Sequence, residues 1–141
     1  MASLIFNSFF EDLARGAIDM DTDAFKIMLV TSAYAPDKDA HLKRSQVTNE
    51  VANGNGYTTG GQVTAVTVTK DVANDRLDMT FGNPAGWPTS TFTARAGVIY
   101  KSRGGASSAD ELVAYLDFGA DITATNGTFS VSITSPLRIQ N

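Results

Sequence analysis

The chain has 141 residues, with 11 Lys and Arg against 15 Asp and Glu, one histidine and no cysteine. Its length suits a single domain, here expected to span residues 1–141, and its 43% apolar content can fill a core without disulfides or metal. The net charge of −4 argues against non-specific binding to nucleic acid, which needs a basic stripe, and no run of about 20 apolar residues is available to cross a bilayer.

Charged residues make up only 18% of the chain, below the roughly 25% of an average soluble domain. The polar surface must then be built mostly from Thr, Ser, Asn and Gly. A partner can cover such a surface at little desolvation cost, because few full charges lose water. The absence of cysteine fits a reducing compartment or a particle that does not depend on disulfides. The first residues, Met1 to Phe6, lack the positive start of a secretory signal, so synthesis in the cytoplasm is expected.

In chain order, Ile5, Phe6, Phe9, Phe10 and Leu13 recur at three- and four-residue spacing. This predicts a helix over residues 3–16 with Ser3 as N-cap and Gly16 as stop. Its phenylalanines must be buried against the chain's own sheet or against another subunit. A turn over 19–23 leads into a strand over 24–31, apolar on both faces and therefore central. Residues 32–61 form a long polar loop, with a helical turn near 41–47 and a glycine-rich end, Asn53 to Gly61. A loop of that length is functional or ordered by a partner.

Beyond it the pattern alternates at period two. Val63 to Thr69 is a Thr/Val strand, and Leu77, Met79 and Phe81 point one way from the next. Residues 82–90 read as a loop around Trp87, the only tryptophan. Phe92, Ala94, Ala96, Val98 and Tyr100 form one inward row, followed by a flexible loop over 102–110. Leu112, Ala114, Leu116 and Phe118 form the next row. Residues 123–127, including the Asn126-Gly127-Thr128 sequon, read as a turn. Phe129, Val131 and Ile133 make another strand, and Leu137 and Ile139 close the chain. One helix and about seven strands at these spacings define a mainly β fold: an antiparallel β-sandwich or jelly-roll-like module.

The chemical motifs are incomplete. Asp19-x-Asp21-x-Asp23 opens like a calcium loop, but Ala24 stands where glycine is required and Val30 where the bidentate glutamate is required. Asp37, Asp39 and His41 could meet on an extended segment as a weak metal site, although polar loops commonly look like this. The glycine-rich run 53–61 lacks both the Lys-Ser/Thr ending of a P-loop and the Gly-x-Gly-x-x-Gly spacing, so its glycines are read as turn formers. No Gly-x-Ser-x-Gly elbow accompanies His41. No metal, cofactor or catalytic residue is assigned. The candidate partner contacts are Phe6, Phe9 and Phe10 on the helix, with Tyr34, Tyr57 and Trp87 in loops.

Several segments together carry a resemblance. They are Phe6-Asn7-Ser8-Phe9-Phe10, Lys26-Ile27-Met28-Leu29-Val30, Tyr34-Ala35-Pro36-Asp37, Gly54-Asn55-Gly56-Tyr57, Ala94 to Lys101, and Leu112 to Gly119. Across nearly its whole length the chain resembles small virion structural proteins of tailed bacteriophages, most closely head decoration, or cement, proteins. The resemblance implies a non-enzymatic protein on the outer surface of the capsid. It also implies a homo-oligomer (dimer or trimer) that bridges subunits of the phage major capsid protein. Two other readings stay open: a tail, adaptor or fibre-associated β module, and a virion-displayed carbohydrate-binding module. The last would need Trp87, Tyr34 and Tyr57 as an exposed aromatic platform.

Overall fold

In the computed structural model, which describes residues 2–141, two antiparallel sheets pack face to face, as the alternating pattern predicts. The elements in chain order are β1 (Leu4–Ile5), α1 (Asn7–Ala14), β2 (Phe25–Val30), β3 (Gln62–Val63), β4 (Val66–Asp71), β5 (Arg76–Phe81), β6 (Trp87–Lys101), β7 (Leu112–Phe129) and β8 (Leu137–Gln140). The larger sheet has the order β1-β7-β6-β2-β3 and the smaller β4-β5-β8. The chain changes sheets at Thr64–Ala65. There the buried Thr64 donates its hydroxyl to Gly82 O at 2.6 Å, and Gly82 N–H donates to Ala65 O at 2.7 Å. That corner closes one side of the sandwich.

The larger sheet is buried on both faces near its middle. Its inner face meets the small sheet through Phe25, Ile27, Leu29, Met79, Phe81, Trp87 and Phe129, where Phe25 and Phe81 pack edge to face with ring centres 6.2 Å apart. Its outer face carries a second cluster: Met28, Val30, Ala96, Val98, Tyr100, Leu112 and Tyr115, capped by Phe6 and Tyr34. The central β2 is therefore apolar on both sides, as its sequence predicts.

The helix is shorter than predicted. Leu4–Ile5 pairs with Tyr115 and Ala114 of β7 instead of starting the helix. Ser3 is not the N-cap. Its hydroxyl accepts a hydrogen bond from Asp117 N–H at 2.9 Å, and Phe6 occupies the cap position without a side-chain cap bond. The stop is where predicted: Gly16 lies at φ +75°, the left-handed conformation glycine adopts freely. The helix divides its phenylalanines, with Phe9 buried in the inner core and Phe10 54% exposed.

Two bulges redirect the predicted rows. Between Ala94 and Ala96 the β6–β7 register shifts, because residues 118–121 loop out of β7 opposite Arg95. Ala94 accordingly faces the inner core, while Ala96, Val98 and Tyr100 face the outer one. A second shift at Ile99/Tyr100 sets Val113 beside Ala114 on the inner face and sends Leu112 outward. The single inward row of each strand thus becomes two half-rows serving different cores.

Three boundaries also differ. Residues 123–127 are no turn: β7 runs through them, paired to β6 as far as Trp87↔Phe129, with Asn126 at φ +47°. Correspondingly, β6 begins at Trp87, inside the predicted loop. Residues 130–136 form no strand and run back beside β7 before β8.

Candidate interaction surface

The long loop 32–61 is knitted to the sheets. Its glycine-rich end wraps Tyr57, whose hydroxyl accepts from Leu29 N–H (3.0 Å) and donates to Glu50 Oε1 (2.7 Å). The same carboxylate oxygen accepts Gly60 N–H at 2.6 Å, and Tyr100 Oη donates to Gly60 O at 2.6 Å. Burial pushes the Tyr57 phenol well above its ordinary range, reinforced by Glu50 beside it, and pushes the Tyr100 phenol up to about 12. Gly61, at φ +74°, lies so close to β2 that a Cβ would stand 1.8 Å from Ile27 O. These glycines form tight turns, as their sequence suggests.

The middle of the loop is held by charge. Asp110 and Glu111, at the base of the β6–β7 hairpin, are almost fully buried. Arg103 Nη2 lies 2.6 Å from Glu111 Oε1, and Lys43 Nζ lies 3.3 Å from the same oxygen. Arg44 Nε donates to Asp110 Oδ2 at 2.8 Å while its guanidinium sits 5.0 Å from the centre of the Tyr100 ring. Lys101 bridges Asp23 and Ala17 O, both at 2.7 Å. The hairpin tip, expected to be a flexible loop, carries a 3-10 turn (Ser107–Ala109), and Arg103 N–H donates to Asp110 Oδ1 at 2.8 Å. For Glu111, burial pushes the carboxyl up. The hydrogen bonds from Arg103, from its own backbone and from Lys43 outweigh that, so it lies below the ordinary value of 4.5.

The chemical candidates are engaged internally. His41 Nδ1 accepts Asp37 N–H at 3.2 Å and lies 2.9 Å from Tyr34 Oη, and the two rings stack. Asp37 Oδ1 accepts the N–H groups of Asp39 and Ala40, and Asp39 Oδ1 accepts from Asn7 Nδ2. Asp19 Oδ1 accepts from Asp21 and Thr22, and Asp23 is tied to Lys101. Among the described residues no group of three or more His, Cys, Asp or Glu side chains is placed to hold a metal ion. None of the helices is long and apolar enough to cross a membrane.

Five of the six candidate contact residues are core residues. Phe6, Phe9, Tyr34, Tyr57 and Trp87 are each 3% exposed or less, and only Phe10 presents its ring. Trp87 packs against Tyr57 and Phe129, with ring centres about 6 Å apart in each case. The aromatic platform that a glycan reading needs from Tyr34, Tyr57 and Trp87 is therefore not presented.

What the chain does present was not singled out from the sequence. The outer face of the large sheet is covered only along half its length. The cover ends at Arg95, whose Nε donates to Asp117 Oδ1 at 2.8 Å, holding that carboxyl down at about 2. Beyond this pair, Thr91 and Thr93 of β6 and Thr123 and Thr125 of β7 are exposed. Thr93 and Thr123 are cross-strand partners with hydroxyls 2.7 Å apart. Alternation places these threonines opposite Phe92, Ala94 and Ala124, which face the inner core. The result is an uncharged, flat, threonine-lined half-sheet next to the unpaired outer edge of β7. The pattern T-F-T-A and I-T-A-T signals such a face in the sequence, once the strand is known to continue through residues 123–127.

Compared with known proteins, the chain matches no family model, no curated protein and no solved structure.

Proposed function

We propose that the chain is a non-enzymatic structural protein of a tailed-phage virion, one that decorates the outside of the head and bridges major capsid protein subunits. The sequence resemblance suggests the setting, and one observation carries the reading: the bare threonine-lined half of the large sheet. A rigid sheet face without charge can be covered without stripping ions of water, while a core on its other side holds it flat. Binding of this kind stabilises a shell by mass action, since a protein that attaches to the assembled shell and not to free subunits shifts the balance toward the shell.

The test is to sediment the purified chain with expanded, undecorated heads. Saturable co-sedimentation at hundreds of copies per head is expected, together with a raised shell melting temperature. Thr93→Lys with Thr123→Lys places two unpaired ammonium groups in the covered face, and about a hundredfold loss of head affinity is expected. A few copies per particle, recovered with tails, would replace the head reading by a tail or adaptor module. Binding to neither overturns the virion reading.

A further inference from the structure

The sandwich is closed on one side by the Thr64–Ala65 corner and carries two long strand edges that nothing in the chain pairs. One is the outer edge of β4, which bonds only to β5. The other is the outer edge of β7 beyond its two-residue pairing with β1. Unpaired edges are templates for pairing, and proteins usually blunt them with short strands, prolines or inward charges. Here β4 has six residues and opens with Val66-Thr67-Val68-Thr69; β7 offers Ile122-Thr123-Ala124-Thr125. Neither run contains a charge or a proline. The remaining edges suit pairing less well: β3 has two residues, and β8 carries the exposed Arg138.

Each edge ends in one exposed charge of opposite sign. Lys70 follows the β4 run and Asp121 precedes the β7 run. Among the described residues Lys70 has no hydrogen bond or ion pair, and Asp121 closes none in its own chain. The two edges therefore match in pattern, apolar toward the core and threonine outward, and complement each other in terminal charge.

We propose that the β4 edge of one copy pairs with the β7 edge of a second copy, continuing the sheet between them with Lys70 of one beside Asp121 of the other. Because the two edges are different surfaces, the contact is heterologous and repeats head to tail, so it closes into a ring or extends. This deepens the structural-protein reading by naming the surface through which copies meet. It is tested on the purified chain without heads, so its failure leaves head binding standing.

Sedimentation equilibrium from micromolar concentration upward should show reversible self-association. Lys70→Glu and Asp121→Lys should each weaken it several-fold, and the double reversal should restore it. Neither side chain is buried, so circular dichroism and melting should be unchanged. Because the native chain has no cysteine, a mixed cross-link gives a second readout. Thr67→Cys protein and Thr123→Cys protein, mixed and treated with a short bis-maleimide, should yield a dimer containing one of each, whereas either alone should not. A chain that stays monomeric throughout overturns the proposal. So does an oligomer indifferent to both reversals, or one that gives no mixed cross-link.

Discussion

Glu111 shows how a single buried carboxylate can help hold two distant segments together. Lys43 of the long loop and Arg103 of the hairpin tip converge on it, and its carboxyl lies below the ordinary 4.5. A carboxyl depressed by folding contributes stability that is fully present above its unfolded pKa and is lost as pH falls through its folded value. Thermal melting should therefore hold steady from neutral pH to about 5 and fall progressively below 4.5. The Arg95–Asp117 pair adds to the loss between 3.8 and about 2. Glu111→Gln should flatten the first part of that fall while lowering the melting temperature at pH 7. Arg103→Ala, which leaves Glu111 buried with Lys43 as its remaining cationic partner, should cost about 2 kcal/mol in urea unfolding at pH 7. The residue scale is also where aromatic side chains are most easily misread. Tyr34, Tyr57 and Trp87 stand in polar, glycine- and proline-rich surroundings that look like loop surface, yet each turns its ring inward.

At the scale of the element, α1 separates two neighbours that the sequence treats alike. Phe9 and Phe10 both fall on the broad apolar stripe, with rings 5.8 Å apart, but only Phe9 enters the inner core. Phe9→Ala should destabilise the fold by about 3–5 kcal/mol, whereas Phe10→Ala should stay within about 0.5 kcal/mol, measured by urea denaturation. Should both prove costly, the exposed ring of Phe10 would be covered in solution. The strands carry a related lesson. Period-two alternation located β2, β4, β5 and most of β6 and β7, because one side chain in two must face a core. It missed the β6 and β7 bulges, because an extra residue leaves no mark in composition. It also took residues 123–127 for a turn, since Asn-Gly is a turn signal that here sits within a long, irregularly paired strand.

On the scale of the whole molecule, the two core clusters are not separable. Strands β2 and β6 supply both, with Ile27 and Leu29 on the inner face and Met28 and Val30 on the outer. Unfolding should then be one cooperative transition. Trp87 fluorescence, which reports the inner core, and hydrogen exchange at Val98, which reports the outer, should give the same unfolding free energy. Two distinct values would mean that the loop-covered outer face opens on its own.

The sequence by itself determined the class of fold, the central β2, the helix stop at Gly16, the role of the loop glycines and a surface poor in charge. Those properties are local: each follows from spacing, from backbone freedom at one residue or from composition. Only the tertiary structure decided which face each half of β6 and β7 serves and where the helix begins. It alone drew five of the six proposed contact residues into the core and left a threonine half-sheet bare. Those outcomes depend on which distant segment arrives to cover a surface. The Glu111 and Asp110 ion pairs, the Thr64 corner and the Ser3–Asp117 bond settle that, and each joins residues that sequence order does not pair.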